Sequence, residues 1–134
     1  DLAKSFGCRD RIVFAGHRED AAALMAAFDV FVLGSEFEGM SNSLMEAMSL
    51  GLPCIASDIA PNRELIVDHQ TGLLFPVGKS PTLAKLASKV LTDSVLAQRL
   101  GQAARECIST RHTVEQMVGA HDSIYRRLQL FSGN

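Results

Sequence analysis

Two glutamates with seven residues between them, Glu38 and Glu46, flank a glycine and a short polar stretch. The polar stretch, Ser41 to Ser43, precedes an apolar pattern with helical spacing, which predicts a loop that leads into a helix. The first amides of a helix have no partner within it and lie at the positive end of the helix dipole, so they stabilise a bound phosphate. A carboxylate instead accepts hydrogen bonds from hydroxyls. The arrangement therefore predicts a site for a ligand that carries both phosphates and sugar hydroxyls.

Each of the residues around this loop suits one part of such a ligand. Gly39 has no side chain, so a ligand can approach its backbone closely. Glu46 falls about one turn into the helix and leans back toward the helix start, where it can accept from the paired hydroxyls of a ribose. Glu38 stands at the strand end and faces whatever lies beyond the phosphates. These features favour a nucleotide diphosphate bonded to a sugar.

A purely structural interpretation of the same acids is also open. Ser43 and Glu46 have the spacing of a capping box, in which the acid closes the start of a helix. Glu36 and Glu38 then are solvated loop charges that the helix dipole favours. Spacing alone does not decide between the two interpretations.

Short apolar runs that alternate with helical patterns predict an α/β fold with a doubly wound, Rossmann-like parallel sheet. The predicted strands are Arg11–Gly16, Asp29–Ser35, Pro53–Ser57 and Gly72–Val77. The predicted helices are Glu19–Phe28, Asn42–Leu50, one helical turn within 61–72, and three helices over about 80–130. Gly51 and Pro53 end the second helix, and Ser80 with Pro81 starts the first of the last three.

In an open parallel sheet, ligands bind outside the carboxyl ends of the strands. Three segments follow predicted strands directly: 16–18, 34–42 and 57–58. We expect them to gather at one edge of the sheet, with Glu38 in the middle segment and Glu46 in the helix that follows it.

Composition narrows the class of protein. The 134 residues fit one domain, 47% of them are hydrophobic, and the formal net charge is −2. These values argue against disorder and against a nucleic-acid partner, since a nucleic-acid-binding domain is usually basic. No apolar run in the sequence is long enough to cross a bilayer, and we expect no signal peptide. Cys8, Cys54 and Cys107 are far apart and odd in number, which favours buried, reduced thiols in a cytosolic protein.

The first ten residues look like the end of a helix that runs into a loop. A parallel α/β domain that opens in this way is expected to lack its first strand and helix. We therefore expect residues 1–134 to form a single but partial domain, truncated at its N-terminus.

The stretch from Glu38 to Ser57 resembles the signature of the group 1 (family 4) retaining glycosyltransferases, which use nucleotide sugars and have the GT-B fold. The signature is a glutamate followed by glycine, a second glutamate eight positions on followed by Ala-Met, and then Gly-x-Pro before a strand. The matching residues are Glu38, Gly39, Glu46, Ala47, Met48, Gly51 and Pro53. The flanking stretches RIVFAGHRED and RELIVDHQTGLLFPVG also resemble this family, so the resemblance covers essentially the whole chain.

The resemblance implies a role for each site residue. Glu38 would be the catalytic residue, contacting the donor sugar near the reacting carbon as a stabiliser and positioner, and Glu46 would hold the ribose. The remaining donor-binding residues would be Gly39, Met40, Ser41 and Asn42 through their backbone, Leu44 as a lining residue, and His17 and Arg18 near the nucleobase.

The resemblance also implies the partners and the reaction. A UDP-, GDP- or ADP-sugar would be the donor and a saccharide or glycolipid the acceptor, as in polysaccharide or lipopolysaccharide biosynthesis. The diphosphate would leave through an oxocarbenium-like state with retention of anomeric configuration. No cofactor or metal is expected, and such enzymes are cytoplasmic, with peripheral association at the inner face of the membrane as a further expectation.

The chain matches only the later part of the second GT-B domain. The family's diphosphate-gripping Arg and Lys would precede residue 1, so we expect weak donor binding and no turnover by the isolated chain. Two alternatives remain: a non-catalytic nucleotide-binding module, and another GT-B enzyme such as a sugar-nucleotide epimerase. An epimerase would convert the donor without any acceptor.

Overall fold

The described residues form a parallel α/β sheet. The computed structural model describes residues 2–131; Asp1 and residues 132–134, which the predicted domain includes, lie outside it. The strands are β1 (Phe31–Leu33), β2 (Cys54–Ser57) and β3 (Leu73–Phe75), in the order β1-β2-β3. All pairs are parallel, with Val32 beside Ile55 and Ile55 beside Leu73.

Helices join the strands and cover the sheet. They are α1 (Leu2–Ser5), α2 (Ala21–Met25), α3 (Asn42–Ser49), α4 (Ala60–Leu65), α5 (Ser80–Thr92), α6 (Ser94–Arg111) and α7 (Val114–Phe131). Helices α3 and α4 are the crossovers between the parallel strands, as such connections require. Among the described residues, none of these helices combines the length and the apolarity that a transmembrane span requires.

Both faces of the central strand are buried, which confirms the predicted doubly covered sheet. Successive side chains of a strand point to opposite faces. Cys54 and Ala56 of β2 belong to the core cluster that contains Leu44 of α3, whereas Ile55 packs in a second cluster with Val90 of α5. Because no face of β2 meets water, its sequence is a continuous apolar run and lacks alternation.

The strand predicted at Arg11–Gly16 is wrong. A short 3-10 helix covers Arg9–Arg11, and residues 12–16 pair with no strand of the described sheet. Val13 is 88% exposed and Phe14 68% exposed, so the apolar run has no core to enter here. An apolar pattern becomes a strand only where a neighbouring strand offers hydrogen bonds and a face to cover.

Two helix starts and ends also differ from the prediction. Helix α2 covers Ala21–Met25, a shorter stretch than 19–28, because the chain beyond Met25 tightens into three-residue hydrogen bonds such as Phe28 N–H to the Met25 carbonyl. Helix α5 begins at Ser80 itself, so Lys79 and not Ser80 is the capping residue. The other three predicted strands and the helix predicted at Asn42–Leu50 are confirmed within two residues at each end, and the helices predicted within 61–72 and over about 80–130 are α4 to α7.

Candidate functional site

A loop with unpaired backbone amides links β1 to α3. The amides from Glu36 to Ser43 donate no hydrogen bond to any residue of the described chain. A Cβ placed on Gly39 would meet no atom within 4 Å, so the space beside this backbone is open. Unpaired amides normally find a partner in water or a ligand, so these amides are available to a bound molecule.

Ser41 caps the helix that follows. Its side chain accepts a hydrogen bond from the Leu44 amide at 3.3 Å, and its hydroxyl also contacts that of Ser43 at 3.2 Å. Ser41 is therefore the N-cap, and Glu46 lies two positions beyond the residue that a capping box would use. The structural interpretation of Glu46 as the closing acid of a capping box is wrong.

The two acids of the motif, Glu38 and Glu46, have no side-chain partner in the described part of the chain. Glu38 is half-buried within the loop, and Glu46 is exposed in the second turn of α3. Neither carboxylate takes part in a hydrogen bond or an ion pair with residues 2–131. Two acceptor groups near a run of free donors can together bind a molecule that carries anionic and hydroxyl groups.

The remaining loop residues have different environments. Met40 and Asn42 are exposed, and Asn42 opens α3 with an unpaired amide. Leu44 is completely buried in the core and its amide is taken by Ser41. The side chain of Leu44, predicted to line the site, therefore packs under the loop and supports α3.

His17 and Arg18 follow Gly16, whose φ of +65° makes the turn that a side chain would disfavour. Both residues are exposed. Arg18 donates two hydrogen bonds to Asp20, each 2.7 Å long, which lower the pKa of Asp20 and raise that of Arg18. Arg18 thus keeps both hydrogens of Nη1 and one hydrogen of Nη2 to donate to a phosphate.

Two further features at the carboxyl ends of the strands were missed by the sequence prediction. Asp58 and Arg63 form a two-pronged ion pair, and Arg63 lowers the pKa of Asp58 chiefly through its hydrogen bonds. Ser57, which does lie at the predicted edge, hydrogen-bonds the Ser35 carbonyl and contacts the Asn62 side chain. Only Ser57 and Asp58 carried a signal, as polar residues directly after an apolar run.

The described residues contain no cluster of potential metal ligands. Within 2–131, no three His, Cys, Asp or Glu side chains come together in a group that could hold a metal ion. The three cysteines are free thiols; Cys54 is buried, as predicted, whereas Cys8 and Cys107, also predicted to be buried, are only half-buried. Burial raises the pKa of Cys54 to about 12.

The amino-acid sequence matches the model of a known protein family. The model of the family described as glycosyl transferases group 1 matches residues 1–107. The chain belongs to this family. The unpaired loop and its two acids lie well within the matched range, so the resemblance proposed from the motif is confirmed.

Relatives and solved structures support the same assignment. N-acetyl-alpha-D-glucosaminyl L-malate synthase from Bacillus anthracis is 34% identical over 124 residues, which cover 92% of this chain and 32% of that protein. Sucrose-phosphate synthase from Thermosynechococcus elongatus superimposes with a TM-score of 0.88 at 30% identity, covering 99% of this chain and 33% of that one. HepE from Anabaena, solved in complex with UDP-glucose, gives a TM-score of 0.84 at 27% identity over 95% of this chain and 34% of that one.

The comparisons also show how much of a complete relative this glycosyltransferase chain represents. It spans about a third of the length of the relatives it matches. The GT-B fold class predicted from the motif is confirmed by the structural neighbours, for the part of the fold that this chain represents.

Proposed function

We propose that this glycosyltransferase domain binds a nucleotide diphosphate sugar at the loop between β1 and α3, for transfer of the sugar to a saccharide or lipid-linked acceptor with retention of configuration. One observation carries the proposal. Within the described part of the chain, the amides from Glu36 to Ser43 donate no hydrogen bond, and neither Glu38, inside this stretch, nor Glu46, three residues after it, has a side-chain partner.

Charge and hydrogen-bonding capacity assign the parts of the donor. The amides from Gly39 to Asn42, at the start of α3, bind the diphosphate, because free N–H groups at a helix start favour an anion. Glu46 accepts hydrogen bonds from the ribose hydroxyls. Glu38 accepts from hydroxyls of the transferred sugar near its reacting carbon and stabilises the positive charge that develops there.

The same amides stabilise the leaving group. As the bond between the sugar carbon and the diphosphate oxygen breaks, negative charge grows on that oxygen and positive charge on the sugar ring. Donors that are already oriented toward the diphosphate lower the energy of this state without reorganising, which is usually the largest contribution to such catalysis. Neither role uses a metal ion, so we propose a metal-independent reaction.

The relatives support the choice of donor and acceptor. HepE was solved with UDP-glucose, so a UDP-sugar is the first donor to test, followed by GDP- and ADP-sugars. The chain spans about a third of its relatives, and the acceptor is proposed to bind residues outside it. We therefore propose that the isolated chain binds the donor weakly and does not transfer sugar, and that the complete enzyme works in the cytoplasm, peripherally at the inner face of the membrane.

Amide NMR on the isolated chain tests the proposal. We expect UDP-glucose, added to the ¹⁵N-labelled chain, to shift the amides from Glu36 to Glu46 and leave those of α5 unchanged. A Glu46→Gln variant is expected to bind more weakly, and Glu106→Gln, which changes an exposed acid on α6, is the matched control.

Two results would overturn the proposal. One is an absence of shifts between Glu36 and Glu46 with UDP-, GDP- and ADP-sugars alike. The other is sugar transfer to an acceptor by the isolated chain carrying Glu38→Ala. Such activity would show that transfer needs neither Glu38 nor residues outside this chain.

A further inference from the structure

Three polar groups join the ends of two strands beneath the loop between β1 and α3. The Ser57 hydroxyl, at the end of β2, donates to the carbonyl of Ser35, two residues after β1. Asn62 of α4 donates through Nδ2 to the Ser57 carbonyl at 2.9 Å and to the Ser57 hydroxyl oxygen at 3.2 Å. Ser57 and Asn62 are both fully buried.

The orientation of these groups follows from what each can donate. The Ser57 carbonyl can only accept, so the Asn62 amide must turn its NH₂ toward it. The second Asn62 hydrogen then occupies a lone pair of the Ser57 hydroxyl. The hydroxyl hydrogen is left to point at the Ser35 carbonyl, so Asn62 orients Ser57 and Ser57 holds Ser35.

The loop itself has little else to hold it. Residues 36–40 make no backbone hydrogen bond within the described chain, and Phe37 at their centre is 94% exposed. At its far end the loop is fixed by the buried N-cap Ser41. Its near end is fixed where Ser57 holds the Ser35 carbonyl. The position of Glu38 therefore depends on these two anchors.

Burying the Asn62 side chain costs free energy that packing alone does not explain. Its Oδ1 is buried and has no hydrogen-bond partner among the described residues. Leaving such an acceptor unpaired costs about 1–3 kcal/mol. The carbonyl that Asn62 contacts also receives the Ile59 amide at 2.9 Å, so it would stay hydrogen-bonded without Asn62. What Asn62 alone supplies is the orientation of the Ser57 hydroxyl.

We propose that Ser57 and Asn62 are positioning residues for the donor loop: they hold Ser35 so that Glu38 and the free amides keep the geometry that binds the diphosphate sugar. This inference rests on the proposed function for what the loop binds, though not for what holds the loop. Neither residue touches the ligand in this proposal. Their effect reaches it only through the backbone of Ser35.

The experiment measures loop order and ligand binding separately. The ¹⁵N-labelled chain and its Ser57→Ala and Asn62→Ala variants are compared for melting temperature, heteronuclear NOE at residues 36–39, and affinity for UDP. Ser109→Ala is the matched control, because Ser109 also donates its hydroxyl to a carbonyl but lies on the exposed side of α6.

We expect Ser57→Ala to remain folded, to lower the heteronuclear NOE of residues 36–39, and to weaken UDP binding about fivefold to tenfold, the equivalent of one lost hydrogen bond. Asn62→Ala is expected to change both quantities in the same direction by a smaller factor. Ser109→Ala should change neither. A change in melting temperature without a change in the loop is what a merely structural role would give.

A folded Ser57→Ala variant with an unchanged loop NOE overturns the proposal. If that variant does not fold, an unchanged loop in Asn62→Ala overturns it, and so does rapid exchange of the Ser57 hydroxyl proton with water in the unmodified chain. If the unmodified chain does not bind UDP, the proposed function fails, while the loop NOE of the variants still decides whether Ser57 and Asn62 hold the loop.

Discussion

Gly101 of α6 lies directly against the carbonyl group of Gly51, just after the end of α3. A Cβ built on Gly101 would come within 2.0 Å of the Gly51 oxygen, closer than any real contact allows. Gly51 itself has a φ of +77°, and the Gly51 and Leu52 amides bond back to the carbonyls of Met48 and Ala47. This is a Schellman ending, which turns the Gly51 carbonyl outward toward α6. The helix that carries the free amides therefore packs on α6 through two glycines.

Gly101→Ala is expected to lower the free energy of unfolding by about 3 kcal/mol, because α6 must move away from α3 to make room for the methyl group. Gly119→Ala is the matched control: it lies in helix α7, where a Cβ meets nothing within 4 Å. The control should be neutral or stabilise by up to about 1 kcal/mol, since alanine favours a helix. Urea denaturation of both variants measures the difference in free energy of unfolding. Equal stabilities would show that Gly101 does not pack closely against the Gly51 carbonyl.

Local patterns were sufficient to predict the elements that place the site. Helix α3 shows its N-cap Ser41, its apolar face and its terminating Gly51 within eleven residues, so neighbouring residues alone define it. Strand β2 is an apolar run between Pro53 and a polar turn, which identifies it in the same way. The loop with the two acids could be located because it lies between two such elements.

Tertiary contacts explain what the sequence could not show. The segment RIVFAG has the composition of a strand, but pairing depends on a neighbour that its own residues do not specify. Ser57 holds Ser35 across 22 residues of chain, and Asn62 reaches Ser57 from another element. No periodic pattern connects these positions, so the support beneath the loop became visible only in three dimensions.

Gly39→Ala separates ligand binding from folding. We expect the stability of the chain to change by less than about 0.5 kcal/mol, because the added methyl group meets no protein atom and the backbone is not left-handed. Affinity for UDP-glucose should fall about tenfold, since the methyl group occupies the space where the diphosphate approaches the backbone. Calorimetric titration with Gly119→Ala as control measures the change; undiminished affinity would place the diphosphate elsewhere.

We expect the chain to lose stability in alkaline solution because the thiol of Cys54 is buried. Burial raises the pKa of its thiol from 9.0 to about 12, so the folded chain resists ionisation more than the unfolded chain does. Stability is therefore full below about pH 9 and falls as the pH rises toward 12, by about 1.4 kcal/mol at pH 10. Chemical denaturation at pH 8 and pH 10 tests this. The Cys54→Ala variant should lose less stability over the same interval, and an equal loss would assign the effect to other groups.

Glu46 and the ribose of the donor can be tested together. If Glu46 accepts hydrogen bonds from the ribose, Glu46→Gln lowers the affinity for UDP. The same substitution should hardly change the affinity for 2′,3′-dideoxy-UDP, because that ligand lacks the two hydroxyls. Hydrogen bonds to a charged group contribute about 1.5–3 kcal/mol, so the coupling between the two changes should be at least about 1 kcal/mol. Titration of both ligands against both proteins gives this coupling, with Glu106→Gln as the control acid. Additive losses would show that Glu46 does not contact the ribose and would overturn the role proposed for it.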